Sequence, residues 1–333
     1  MRLVLVVGLA LAVGLAGVAA LVMQPFVAAR ESVAPEVEPE RLKAHVKRLS
    51  VDFYPRSFDH DVRLEAAAQY ILAQFEAAGA TVSVQEVVVE EASYKNLIAR
   101  FGPATGPRLV IGAHYDSHAA VNAEIDDPRG YSPGTHTPGA DDNASGVAGL
   151  LELARLLGSR PQERPIELVA YALEEPPHFR TEHMGSAWHA RGVAGEDVRL
   201  MLSLEMIGYF SDAPGSQRYP LPGLNLLYPD RGNFIALVGT LGDFGTMRKV
   251  KAAMAGASDL PVRSINAPRW VPGVDFSDHL NYWDAGIPAI MVTDTAFWRN
   301  PNYHRPGDTH DTLDYARMAQ VVEGVYAVTQ AAW

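Results

Sequence analysis

The chain has 333 residues, with 39 acidic against 28 basic side chains, a net charge of -11 and no cysteine. A balance this acidic argues against a phosphate-backbone partner, so no nucleic acid is expected. Disulfides and thiolate metal sites are excluded, and the length suits one sizeable core.

Arg2 precedes an uncharged apolar run from Leu3 to Ala29. It reads as a single N-terminal hydrophobic helix, either a membrane anchor or a signal segment over residues 1–29. Either one places the rest of the chain outside the cytoplasm, on the periplasmic or extracellular side. The acidic, Pro-containing residues 30–40 read as a solvated linker, and 41–333 as one folded domain. Helical spacing follows in "ERLKAHVKRLS" and again in "DVRLEAAAQYILAQFEAAGA". "TVSVQEVVV" alternates as a strand does, and "YKNLIARFG" and "PRLVIGAHYDS" are further strands. "ASGVAGLLELARLLGS" is a helix. "RPIELVAYALEE", "LMLSLEMIGYF", "NFIALVGTLG" and "GIPAIMVTDT" are strands, and "TLDYARMAQVVEGVYAVTQAAW" closes the chain as an amphipathic helix. Strands alternating with helices give the α/β class: a mixed, mostly parallel central sheet flanked by helices.

Acids and imidazoles fall at the carboxyl ends of those strands, where such folds place their sites. "LVIGAH" ends on His114 with Asp116 beyond it, "LVAYAL" on Glu174 and Glu175, and "LMLSL" on Glu205. Asp142 precedes a helix and His304 lies in a loop. A buried carboxylate cluster of this kind costs several kcal/mol per unpaired group unless cations compensate it. Histidine and carboxylate donors without thiolates suit Zn²⁺ or another divalent metal.

The motifs "GAHYDS", "GADDNASG", "LEEPPHFRTEHMGS", "LEMIG", "FSDH" and "YHRPGDT", in that order, resemble the M28 metallopeptidases, zinc aminopeptidases akin to bacterial leucyl aminopeptidases. The resemblance runs from about residue 41 to the C-terminus. It implies two Zn²⁺ per chain, with His114, Asp142 and Glu205 on one and Asp142, Glu175 and His304 on the other. Asp142 bridges, chosen over Asp141 because it lies four residues before Gly146. Glu174 becomes the general base and Asp116 the partner that orients His114. Glu205 stands where the family pattern has aspartate. The implied activity removes N-terminal residues from peptides. Relatives of this kind also include carboxypeptidases, single-zinc glutaminyl cyclases and non-catalytic binding domains.

Other features carry less. Asp278, His279 and Tyr303 are candidates for substrate contact, although Ser277 or Asp278 could simply cap a helix. Phe297 and Trp298 beside Tyr303 suit an apolar pocket. The Pro/Gly/Tyr-rich stretch after Glu205 reads as a lid, a specificity wall or a surface excursion. His118, His136, His178, His183, His189 and His310 read as ordinary loop or surface histidines, and "EIDDPRG" as a solvated acidic run. Pro176-Pro177 stiffens the turn after the glutamate pair. Oligomeric state leaves no mark on the sequence.

Overall fold

The structure, a computed structural model, describes residues 14, 17, 19–32, 34–119 and 136–333. Its eight strands are β1 (Thr81–Val89), β2 (Ala92–Phe101), β3 (Arg108–His114), β4 (Ile166–Tyr171), β5 (Val198–Glu205), β6 (Ile235–Gly239), β7 (Val262–Asn266) and β8 (Ala289–Thr293). They form one mixed sheet in the order β1-β2-β4-β3-β5-β8-β6-β7. The centre is parallel: β3 pairs in parallel with β4 and β5, and β5 with β8. β1 and β2 form an antiparallel edge, and β6 returns antiparallel to β8 before pairing in parallel with β7.

Helices cover both faces. They are α1 (Pro39–Lys47), α2 (Asp61–Ala77), α3 (Gly146–Gly158), α4 (Gly185–Gly192), α5 (Phe244–Ala255), α6 (His279–Asp284) and α7 (Tyr315–Gln330). Alternation along β3 shows why its sequence is apolar throughout. Leu109, Ile111 and Ala113 pack into the larger core with Leu64, Leu150 and Val325. Val110 points the other way, into a smaller core with Ala190 of α4 and Tyr282 of α6. A strand buried on both faces has no polar side to show.

Buried ion pairs tie helices and strands to this frame. Glu167 of β4 receives Arg100 Nε at 2.6 Å, with Arg108 at 3.4 Å and His189 Nε2 at 3.1 Å. Burial opposes its ionisation, but these partners win and hold its carboxyl down at about 2. Glu152 of α3 is held in the same way by Arg41, His45 and Arg155.

Some of the sequence expectations need correction. The stretch taken as a solvated linker packs onto the domain. Arg30 N donates to the Ala252 carbonyl at 2.8 Å, and Val37 is buried with its N–H on Glu323. Its few apolar residues find α5 and α7, which acidic composition alone conceals. β7 and α5 were not anticipated: β7 has five residues with Arg263 exposed, and the buried stripe of α5 includes Lys251. Among the described residues no helix is long and apolar enough to cross a membrane. The Leu3–Ala29 reading falls mostly outside the described residues, and "EIDDPRG" wholly so.

Candidate metal centre

Four parallel strands deliver the site at their carboxyl ends. β3 ends on His114, β5 ends on Glu205, and β5 pairs Glu205 with Thr293 at the end of β8. After β4 the chain turns through Leu173, whose φ is 62°, and presents Glu174 and Glu175. Met206 (φ 50°) and His304 (φ 54°) are also left-handed. Such backbone costs about 1–3 kcal/mol per residue and concentrates at functional sites. At these three positions it lies at or beside a proposed site residue, while Gln24, Glu90, Arg180, Thr295 and Ala296 are left-handed elsewhere.

Asp142 stands between two imidazoles. Its Oδ1 is 3.4 Å from His114 Nε2 and its Oδ2 is 3.2 Å from His304 Nε2. On one side, Glu205 Oε2 is 3.4 Å from His114 Nε2. On the other, Glu175 Oε2 is 3.4 Å from His304 Nε2. Glu174 Oε2 lies 3.8 Å from His114 Nε2. Asp141 is turned away, accepting from Gly208 N and Asn300 Nδ2.

Three side chains hold this arrangement by gripping backbone. Asp116 accepts the N–H of Glu174 at 3.2 Å and of Glu175 at 3.0 Å, while its Oδ1 is 3.3 Å from His114 Nδ1. One carboxylate thus sets the glutamate pair and the imidazole together. Asp308 accepts the N–H of Asp141 and of Asp142. Asn143 accepts from Gly146 N and Met206 N and donates to the Leu204 carbonyl, so it fastens the Asp142 turn to the end of β5. Gly146 has no room for a side chain there: a Cβ would sit 2.5 Å from the Leu204 oxygen. Asp308 was already visible as the acid of the "YHRPGDT" motif. Asn143 had no signal beyond its place beside Asp142.

The electrostatics are those of a cluster short of positive charge. Burial raises the Glu174 carboxyl well above its ordinary range, with Glu205 and Glu175 adding to the shift against His114. Burial, with Asp142 adding, pushes Glu175 up to about 7. Burial, then Asp141, pushes Asp308 to about 8. Burial would lower His304, yet Glu175 and Asp142 lift it to about 10. Only Asp142, between the imidazoles, is held below the carboxylate range despite burial. The residues fit a divalent cation. Nε2 of buried His114, and Glu175 Oε1, make no hydrogen bond with any described residue. His114, Asp142 and Glu205 place ligand atoms within 4.8 Å of one another, as do His118, Glu175 and His304.

His118 therefore does not belong among the ordinary loop histidines. It is buried, its ring centre 3.9 Å from that of His304, and burial lowers its pKa to about 3. Its HxDxH spacing in "HYDSH" was the available signal. His189 is likewise buried, bonded to Tyr282 and Glu167. His279 is corrected as a substrate contact. Its Nε2 bonds the Val274 carbonyl at 2.8 Å, its ring packs on Trp283, and it lines neither cavity described below. Asp278 lines neither cavity; it lies behind the site in the field of His114 and Glu205, pushed by burial to about 7. No side-chain cap forms at α6. Instead Ser277 Oγ donates to Glu205 Oε2 at 2.7 Å, which leaves Ser203 as the donor in the Ser203–Ser277 contact.

Tyr303 lies at the mouth of the cluster. It stacks on His304, ring centres 3.7 Å apart. With Glu205 and Phe276 it lines both the cleft over Asp142, Glu174 and Glu175 and an adjoining, mostly apolar cavity. That cavity is walled by Val238, Ile265 and Met291 of the sheet, by Phe297 and Trp298, and by Tyr219, Leu224 and Tyr228 from the long loop after Glu205. Pro176 and Phe179 sit on the rim of the cleft.

Comparison with known proteins agrees with this geometry. The sequence pattern of peptidase family M28 matches residues 96–329. An Escherichia coli (strain K12) protein described as uncharacterized protein YfbL is 53% identical over 303 residues, covering 91% of each chain. A probable leucine aminopeptidase of Trichophyton verrucosum (strain HKI 0517) is 26% identical, over 87% of this chain and 72% of that one. The fold also matches a glutaminyl cyclase of Bacteroides thetaiotaomicron with a TM-score of 0.67 at 21% identity, covering 90% of this chain and 100% of that one. The chain therefore belongs to peptidase family M28 and is an enzyme of the metallo-exopeptidase class.

Proposed function

We propose that the chain is a two-zinc aminopeptidase that releases apolar N-terminal residues from peptides. The observation that carries this reading is Asp142 set between His114 and His304, with a different glutamate beside each imidazole. His114, Asp142 and Glu205 would hold one Zn²⁺, and Asp142, Glu175 and His304 the other. When bound, zinc in this centre supplies Lewis acidity to the scissile carbonyl and to the attacking water. Glu174 is the base: it accepts the water's proton and passes it to the leaving amine. Asp116 keeps both glutamates and His114 in register through their backbone and ring contacts. The apolar cavity behind Tyr303 and Phe276 receives the side chain of the departing residue.

A second reading, a single-zinc glutaminyl cyclase, is favoured by one contact. Ser277 Oγ donates to Glu205 Oε2, so that carboxylate has a partner other than a cation. A panel of aminoacyl-chromophore, N-blocked and N-glutaminyl peptides separates the two. The expected outcome is cleavage of unblocked leucyl and phenylalanyl substrates. Cleavage of blocked peptides alone, or cyclisation of N-glutaminyl ones, would contradict the aminopeptidase.

The domain division and location follow the same proposal. Residues 1–29 tether or export the chain, and the peptidase domain works outside the cytoplasm. Fractionation of cells expressing the full chain should place it with the membrane or outside the cell.

A further inference from the structure

The His304 half of the centre holds a ligand-type side chain for which the reading above gives no use. His118 is buried, and one of its ring nitrogens lies within 4.8 Å of ligand atoms of both Glu175 and His304. Its ring is tilted 33° to that of His304 at 3.9 Å, and Tyr303 stacks on His304 at 3.7 Å. Two rings this close must take opposite faces, so His304 is held between them. The backbone at His118 is fixed as well. Thr137 N donates to its carbonyl, and Ser117 N donates to the carbonyl of Arg56. Buried Arg56 in turn donates to the carbonyls of Tyr115, Pro138 and Gly139.

We propose that His118 is a metal ligand, joining His304, Glu175 and Asp142 around one of the two cations. The inference rests on the two-zinc reading above. It makes the halves unequal. The His304 half gains two imidazoles and two carboxylates, four protein donors, which is the closed tetrahedral set of a zinc that is held rather than used. The His114 half keeps three protein donors and therefore an open position. That open half is the one beside Glu174, whose Oε2 is 3.8 Å from His114 Nε2. Chemistry is thus confined to one side of Asp142, and the other ion fixes the bridge.

The test is a zinc titration of the metal-free full chain against a chromophoric chelator, repeated with Co²⁺ to read its visible spectrum. His118→Ala removes ring and donor; His118→Phe keeps a ring to pack on His304 but no donor. Both variants should bind one equivalent more weakly by more than the about 10–100-fold that loss of a merely orienting partner costs and leave the other unchanged, with an altered cobalt spectrum for the weakened equivalent. If His118→Phe binds both equivalents as wild type does, His118 only packs and the inference falls. If the variants do not fold, X-ray absorption of wild type loaded with one zinc replaces them: two imidazole ligands are expected, and one overturns the proposal. A wild-type chain that binds no zinc overturns the two-zinc reading along with it, whereas two equivalents bound alike by wild type and variants sink this inference alone.

Discussion

Asp308 acts on the site through the backbone of its neighbour. Its carboxylate takes the N–H groups of Asp141 and Asp142 and so aims Asp142 at the two imidazoles. Asp308→Asn keeps one acceptor and turns an NH₂ toward the other amide. Zinc affinity should drop about 10–100-fold, the usual effect of losing a partner that orients a ligand, and chelator competition measures it. The roles proposed for His114, Asp142, Glu175, Glu205 and His304 were legible because each sits at a strand end or in a motif that survives in the sequence. Those of Asn143 and His118 were not. Asn143 acts by reaching Leu204 and Met206, more than 60 residues on. His118 acts by meeting His304, which only the folded sheet brings near. Glu205, the departure from the family pattern, still comes within 3.4 Å of His114, with Ser277 steering its longer side chain.

At the scale of elements, β4 carries the glutamate pair and is itself anchored by Glu167. Replacing Glu167 with Gln leaves His189 and Arg108 facing a neutral amide inside the sheet. The expected loss is about 3 kcal/mol, at the low end for a broken buried pair because Arg100 and Arg108 are partly open to water. Urea unfolding of the variant gives the value. The central strands were readable since burial on both faces makes them continuously apolar; β7, at the edge and with exposed Arg263, escaped for the opposite reason. The glutamate pair looked like misplaced like charges. Leu173 in its left-handed turn and Asp116 beneath both amides explain how two neighbours serve one rim. Pro176-Pro177, odd in the sequence, forms part of that rim, with Pro176 lining the cleft.

For the whole molecule, the centre makes stability depend on pH and metal together. In the metal-free chain burial lifts Glu175 and Asp278 to about 7 and Asp308 to about 8, above their unfolded values near 4. Between those limits the folded chain holds protons that the unfolded chain has released. Metal-free stability should therefore fall as pH rises from about 4 to about 8. Zinc competes with those protons, so the rise in melting temperature on adding zinc should grow over the same interval. Thermal melts at several pH values, with and without chelator, check both signs; a metal-free melting temperature that climbs with pH would contradict them. The most direct measurement of the central claim is zinc content and peptide hydrolysis on one sample of the Glu174→Gln variant. Two zinc ions per chain with turnover reduced about 10²–10⁴-fold is the expected result. One zinc per chain, or two with undiminished hydrolysis, would contradict a two-metal centre served by Glu174.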